Sequence, residues 1–372
     1  MEWTGWLPTS IMTIQENVPL APLTTLQVGG AARYFAELRR EDDVREATQF
    51  AKTRELPVFV LGGGSNLVIA DSGWPGLVLK IAIGGITSPE TKDATAKAVL
   101  FSVGAGVNWD DFVAQAVAQN CAGVECLSGI PGSAGGTPVQ NVGAYGQEVA
   151  DTIESVRAFD MKEDRIVVLP KPACGFRYRS SIFNGAERGR YIIVRVDYRL
   201  KRGGAPSLKY ADLQRHFAER LAENKTPPSL AEVREAVREI RRSKGMLIVP
   251  GDDDCRSAGS FFKNPVLGEE RFKELAARAE SKGFAIPNYP AARSQHKDAQ
   301  RKVSAAWLVE HSGFSRGYAV GAAGISHKHA LALINLGVAK ASDIVGLKDE
   351  IQHGVEEAWG ILLEAEPVFV GF

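Results

Sequence analysis

"SGIPGSAGGTPVQNVGAYGQEV", residues 128–149, sets Gly129, Gly132, Gly135, Gly136, Gly143 and Gly146 among small side chains. Glycine lets a backbone approach a ligand closely, and successive N–H groups can then point at one anion. "LGGGSN", residues 61–66, offers a second loop of the same kind. Neither loop is a dinucleotide fingerprint. Gly62 and Gly64 fit G-x-G, but Leu67 holds the third glycine position and no long helix follows. The G-x-x-x-x-G-K-[ST] loop is absent as well. Alone, either segment reads as well as a tight turn between strands. Together, each attached to strand, they suit a diphosphate lying between two small subdomains.

Working outward, the 372 residues are long for a single core and predict two or three domains. Lys+Arg and Asp+Glu are both 44, so no net field recruits nucleic acid or an anionic membrane. "MEWTGWLPTS" lacks the basic and apolar regions of a secretory leader. The longest apolar runs are interrupted by Lys80 and Asn335 and are too short to span a bilayer. Cys121, Cys126, Cys174 and Cys255 form no CxxC and no disulfide framework. A cytoplasmic protein is expected.

Periodicity predicts a helix in "REDDVREATQFAKTREL", where Val44, Ala47 and Phe50 recur at helical spacing. "PVFVLGGGSNLVIADSGWPGLVLKI" reads as strand, glycine turn and further strand. "VLFSVGAGVNWDDFVAQAVAQNCAG" reads as strand, turn and helix, capped by Asn108 or Asp110 and stopped before Gly123. "IESVRAFDM" and "RYIIVRVDYRL" are strand-like. "SLAEVREAVREIRRSKG" is the clearest helix, with a Ser229/Glu232 capping box and an apolar face of Leu230, Val233, Val237 and Ile240. Helices follow near 268–283, 303–312 and 342–359, and "EPVFVGF" closes the chain as a strand. The class is α+β, with a boundary near residue 245.

Six segments then occur in a telling order: "LGGGSNLVIAD", "GIPGSAGGTPVQNVGAYGQEV", "CGFRYRSSIF", "AGSFFKNP", "PNYPA" and "LEAEP". From about residue 17 onward the chain resembles the bacterial UDP-N-acetylenolpyruvoylglucosamine reductases, which make UDP-N-acetylmuramate for peptidoglycan. The glycine loops alone indicate only the broader p-cresol-methylhydroxylase-type FAD fold; the combination is far more specific. The resemblance implies FAD-binding subdomains at 12–83 and 84–245, and a substrate domain at 246–363. The terminal strand, 364–372, would return to the first subdomain. "LKYADL" is similar to the tyrosine-bearing loop of the family's first structural subtype, in which Tyr210 would close over the substrate.

The family reaction reduces an enolpyruvyl ether C=C. NADPH reduces non-covalent FAD, leaves, and the nucleotide sugar takes its place; flavin N5 then delivers hydride to the vinyl carbon. This requires a hydride donor, a clamp on the developing enolate and a proton donor. By resemblance, Ser260 is the proton donor. On residues alone it is a turn or capping serine, since "AGSFF" is no G-x-S-x-G elbow. Arg179 matches the arginine on the enolate oxygen, a task for a fixed fork of donors; otherwise it is a strand-surface arginine. Glu366 matches the catalytic glutamate, with Glu364 the competing candidate because proline follows the second glutamate here.

The resemblance further assigns FAD contacts to Gly62, Gly63, Gly64, Ser65, Asn66 and Leu67 in the first loop. In the second they are Gly129, Ile130, Pro131, Gly132, Gly135, Gly136, Gln140, Asn141, Gly143, Ala144 and Tyr145. Lys244 would contact substrate or NADPH, although the basic run Arg241, Arg242, Lys244 also reads as complementing a helix dipole. Asn264 and Tyr289 would line the uridine-nucleotide pocket, and His329 would face the substrate. His327 and His329 form an H-x-H, but no third ligand cluster accompanies them and no metal is expected. A monomer is expected. The alternative function is another FAD-dependent oxidase or dehydrogenase of this fold, which leaves "GSFFKNP" and the terminal glutamate idle. Non-catalytic flavin binding and serine hydrolysis are weaker readings.

Overall fold

A computed structural model describes residues 12–88, 97–222, 226–290 and 300–372. Strands β1 (Ile14–Pro19) and β2 (Ala31–Leu38) precede helix α1 (Glu41–Thr53), and β3 (Val58–Leu61), β4 (Leu67–Ile69) and β5 (Trp74–Ile81) follow. Helix α1 buries Val44, Ala47 and Ala51, while Asp43 accepts from the amides of Arg39 and Arg40 and fixes its start. The sheet runs β1-β2-β5-β3, antiparallel at β1/β2 and parallel at β2/β5 and β3/β5. Strand β4 is missing from it. The turn between β3 and β4 passes through Gly64 at φ +68°, where a Cβ would lie 2.0 Å from the Leu23 carbonyl oxygen. Only glycine permits that exit. Strand β4 instead pairs in parallel with Val368–Val370, so the end of the chain lies beside the first glycine loop.

A second sheet follows, with neighbours in the order 165–170, 153–160, 191–202, 98–104, all antiparallel. Helix α2 (Trp109–Ala118) packs on it. Asn108 caps this helix, accepting from the amides of Asp110 at 2.9 Å and Asp111 at 3.3 Å; Asp110 is thereby free for another task. Trp109, Phe112, Phe101 and Tyr198 form one buried aromatic cluster. Truncating one of these to alanine costs about 3–5 kcal/mol. The buried Tyr198 hydroxyl shares a 2.7 Å hydrogen bond with Thr137 and donates to the Ala134 carbonyl, tethering the second glycine loop to the core.

Two short helices, α3 (Ala211–His216) and α4 (Ala218–Ala222), lead to α5 (Leu230–Ser243). The Ser229/Glu232 capping box of α5 forms in both directions. The remaining chain adds α6 (Glu269–Glu280), α7 (Ala305–Glu310) and α8 (Ala341–Trp359) around two small sheets. Phe261, Phe262, Leu308, Ile344, Leu347 and Ile351 form its core, which continues into Leu26, Val28 and Val68 of the N-terminal part. Asp71 accepts from the amides of Ala341 and Ser342 and docks the start of α8 onto the turn after β4. The terminal strand is shorter than its sequence promises: the ladder covers Val368–Val370, with one isolated bridge between Ala365 and Phe262. Among the described residues no helix is long and apolar enough to cross a membrane.

Candidate active site

The two glycine loops touch. A Cβ on Gly63 would lie 2.3 Å from Gly132 Cα, and one on Gly62 would lie 3.0 Å from Ser133 Oγ. Ser65 Oγ donates to the Pro131 carbonyl at 2.9 Å. Asn66 Nδ2 donates to Gln140 Oε1 at 2.9 Å and to the Glu366 carbonyl at 3.2 Å, joining both loops to the terminal segment. Among the described residues, no protein acceptor takes the amides of Gly63, Gly64 or Ser65. The Ser133 hydroxyl is buried and also unpartnered. Unspent donors beside a side-chain-free backbone are what a phosphate group needs. The residues present therefore fit the diphosphate of FAD. Gly63→Ala should cost about 1–3 kcal/mol by overpacking and should impair FAD uptake; thermal melts and flavin content check both.

Behind the second loop, Gly129 donates to Asp110 at 2.6 Å, and Arg234 pairs with the same carboxylate. Arg241 departs from the helix-dipole reading. It is buried, its Nε donates to the Gly129 carbonyl at 3.1 Å and its Nη2 to the Met246 carbonyl at 2.6 Å. It follows Val237 by one turn on the buried face of α5, and the glycine loop supplies an acceptor that lets its charge go inside. Ile130 packs against the large core, and Leu67 opens β4. Gly135 sits where a Cβ would meet Ala105 at 2.5 Å. Gly136 donates its amide to the Ser133 carbonyl.

"FRYRSS" forms a two-residue hairpin turn, closed by paired backbone bonds between Arg177 and Ser180. Tyr178 and Arg179 occupy its tip. Asn184 braces the turn, donating to the Arg179 carbonyl and accepting from the Ser181 amide. Arg179 holds φ +51°, a left-handed value that costs a non-glycine residue about 1–2 kcal/mol. Asn141 (φ +46°) and Tyr145 (φ +48°) do the same nearby. Strain concentrated in this way marks a site whose geometry is over-determined by its surroundings.

The tip aims Arg179 at two acceptors. Its Nη2 donates to the Gly143 carbonyl at 2.8 Å. Its Nε lies 2.9 Å from Glu366 Oε1, an ion-pair distance, but the N–H is not aligned with that oxygen and has no acceptor among the described residues. The distance establishes the pairing of charges; the angle leaves one N–H unspent. Glu364 points away and pairs with Lys263: it is 73% exposed, against 14% for Glu366. Ser260 ends the strand Ser257–Ser260. The next residue, Phe261, accepts from the Glu366 amide at 2.8 Å, so the end of the strand bearing Ser260 lies beside the segment bearing Glu366. No protein acceptor takes the Ser260 hydroxyl among the described residues.

Three further residues that the sequence reading gave no role complete this cluster. Lys302 Nζ lies 4.4 Å from the centre of the Tyr178 ring; burial, and then the Arg179 guanidinium, push its pKa down. Burial pushes the Tyr178 phenol up. Glu148 accepts from Asn141 Nδ2 at 2.9 Å and acts electrostatically on Lys302. Tyr178 had a signal in its place beside Arg179. Glu148 lies near the end of the quoted glycine stretch, with no pattern to mark its role, and Lys302 had no signal, because it meets Tyr178 only through tertiary packing.

The other expected residues fall in two places. Lys244, the C-cap of α5, pairs with Asp212 at 2.6 Å and sits 5.9 Å from the Tyr145 ring. Tyr210 is partly exposed and packs edge-on against Tyr145 at 5.2 Å, so Tyr210, Tyr145 and Lys244 form one group. Ala144 packs into that core. His329 is brought near it: burial first, then Lys244 and Arg316, lower its pKa to about 4. His327 points elsewhere, exposed beside Asp254. Asn264 spends its carbonyl oxygen on the Ala305 amide at 2.9 Å and lines a cleft of about 510 Å³ with Tyr178 and Lys263. Tyr289 lies in the strand Asn288–Pro290, where its backbone pairs with Lys302; its side chain is outside the described residues.

Comparison with known proteins agrees with this geometry. The UDP-N-acetylenolpyruvoylglucosamine reductase of Thermobifida fusca is 43% identical over 359 residues, covering 95% of this chain and 97% of that protein. The chain belongs to the UDP-N-acetylenolpyruvoylglucosamine reductase family. The reductase of Streptomyces avermitilis is also 43% identical, covering 97% of both chains. The model of the family's C-terminal domain matches residues 250–370, and that of an FAD binding domain matches 32–169. The crystal structure of the reductase from Thermus caldophilus, 27% identical, superimposes with a TM-score of 0.61 over 97% of this chain and 100% of its own. The α+β architecture expected for the family is thus present: an FAD-binding part of the p-cresol-methylhydroxylase type and the family's own C-terminal domain.

Proposed function

We propose that this reductase uses NADPH, through FAD, to reduce UDP-N-acetyl-3-O-(1-carboxyvinyl)-glucosamine to UDP-N-acetylmuramate. The observation that carries the reading is the convergence of Arg179, Glu366 and the Ser260 strand at the end of the flavin cradle, within a chain of this family. Bound FAD, reduced by NADPH, supplies the hydride that adds to the terminal vinyl carbon. Arg179 faces the charge that then develops on the pyruvyl oxygens, using the N–H that no protein group accepts. Glu366 pairs in charge with the guanidinium, and the αL turn keeps it there without reorganisation. Ser260 Oγ gives its proton to the carbon beside the ether oxygen. A serine hydroxyl is a weak acid, so it acts only against a strongly basic enolate carbon. The balance is one hydride and one proton added across the C=C.

The nucleotide half of the substrate falls to the second group. Lys244, freed from Asp212, meets the diphosphate; Tyr210 closes over it, as in the tyrosine-loop subtype; His329, Asn264 and Tyr289 line the remainder. Lys244→Met should raise the substrate KM roughly 10- to 100-fold with little change in kcat, which steady-state kinetics would show. We divide the chain into FAD-binding subdomains at 12–83 (with 364–372) and 84–245 and a substrate domain at 246–363; the pairing of Val368–Val370 with β4 supports the assignment of the terminus. A monomer working in the cytoplasm, where NADPH is kept reduced, completes the proposal. Mass spectrometry tests the reaction itself. Incubation with NADPH and the enolpyruvyl sugar should yield a product about two mass units heavier, from one added hydride and one added proton. Unchanged substrate would defeat the assignment.

A further inference from the structure

The parallel sheet carries a cation that the reaction above leaves unused. Lys80 lies on β5, between β2 and β3, and its strand neighbours Leu77, Val78, Leu79 and Ile81 are all buried. A strand in that position is normally a continuous hydrophobic run. Burial pushes the Lys80 pKa down, so the placement costs free energy unless something compensates it. Within the protein the compensation is slight: Nζ donates to the carbonyl of Gly62, the first residue of the glycine turn. Among the described residues no carboxylate lies within ion-pair distance.

The acids around Lys80 are already matched. Glu37, its register partner on β2, pairs with Arg39. Lys80 and Gly63 line a cleft of about 480 Å³ whose other wall carries Asp252 and Asp253. Asp252 is paired with Lys328 and Asp253 with Arg256. Glu37 acts on Lys80 only from beyond ion-pair distance, which leaves one half-buried ammonium with no ion-pair partner among the described residues, directly against a turn whose amides at Gly63, Gly64 and Ser65 lack acceptors. Dipoles and a full charge converge on one place, and the missing partner is an anion.

We infer that Lys80 is a binding residue for the diphosphate of FAD, supplying from the strand beneath the turn the positive charge that the glycine amides do not carry. The inference rests on the flavin reading above. A purely local role, clipping the Gly62 carbonyl to shape the turn, is the competing explanation. Lys80→Gln separates the two, since its amide can still donate to that carbonyl but brings no charge; Lys80→Met removes both.

The test is titration of flavin-free wild type, Lys80→Gln and Lys80→Met with FAD, followed by flavin fluorescence at low and high NaCl. Both variants should bind FAD roughly 10- to 100-fold more weakly, and the gap to wild type should narrow as salt screens the charge. Lys80→Gln binding within about twofold of wild type, below the loss expected for a charged hydrogen bond, would overturn the inference. So would a gap that salt leaves unchanged. Wild type that takes up no FAD would instead remove the flavin reading itself.

Discussion

Ser260→Ala should bleach with NADPH at nearly the wild-type rate and then fail to recover. Loss of a positioned proton donor costs about 10²–10⁴ in the step that needs the proton. Only reoxidation by the enolpyruvyl sugar should show that loss, because flavin reduction by NADPH makes no use of Ser260. Stopped-flow absorbance resolves the two halves. The prediction follows from placement: the hydroxyl has no acceptor among the described residues and lies at the strand end beside Glu366. If both half-reactions slow together, Ser260 is a structural residue of the strand end, and the proton comes from elsewhere.

Removal of the Arg179 guanidinium should cut turnover about 10²–10³-fold, the usual consequence of deleting a preorganised group that faces developing charge. Glu366→Gln should fall into the same range, and the double variant should lose little more than either single one, because the pair acts as a unit. The backbone adds a second, separable effect. Arg179 sits at φ +51°, so Arg179→Gly should be more stable than Arg179→Ala by about 1 kcal/mol, with equal loss of activity. Denaturant melts of the two variants read the strain directly. Equal stability would mean that the turn relaxes and that the left-handed conformation is not imposed on it.

What could be read from the sequence follows the range of the interactions involved. Helices α1, α2 and α5 have strong periodicity and local caps, and they form where expected. Helices α3 and α4 are too short for periodicity to register. The pairing of Val368–Val370 with β4 joins positions some 300 residues apart, and no local pattern encodes it. The same limit hid Lys302, which meets the Tyr178–Arg179 tip some 120 residues away in the chain. Arg241 misled for a different reason. A charged residue is normally solvated, and although Val237 one turn earlier puts it on the buried face, the Gly129 carbonyl that takes it in lies 112 residues away. The glycine loops could be read as a candidate anion cradle because the absence of side chains is itself a local signal, and their unspent amides fit that reading.

The most direct test is a single anaerobic absorbance experiment on purified protein, with NADPH added first and UDP-N-acetylenolpyruvoylglucosamine second. The bound flavin spectrum should bleach with NADPH and return in full with the sugar nucleotide. A flavin that bleaches but stays reduced in the presence of that substrate would contradict the proposed reaction.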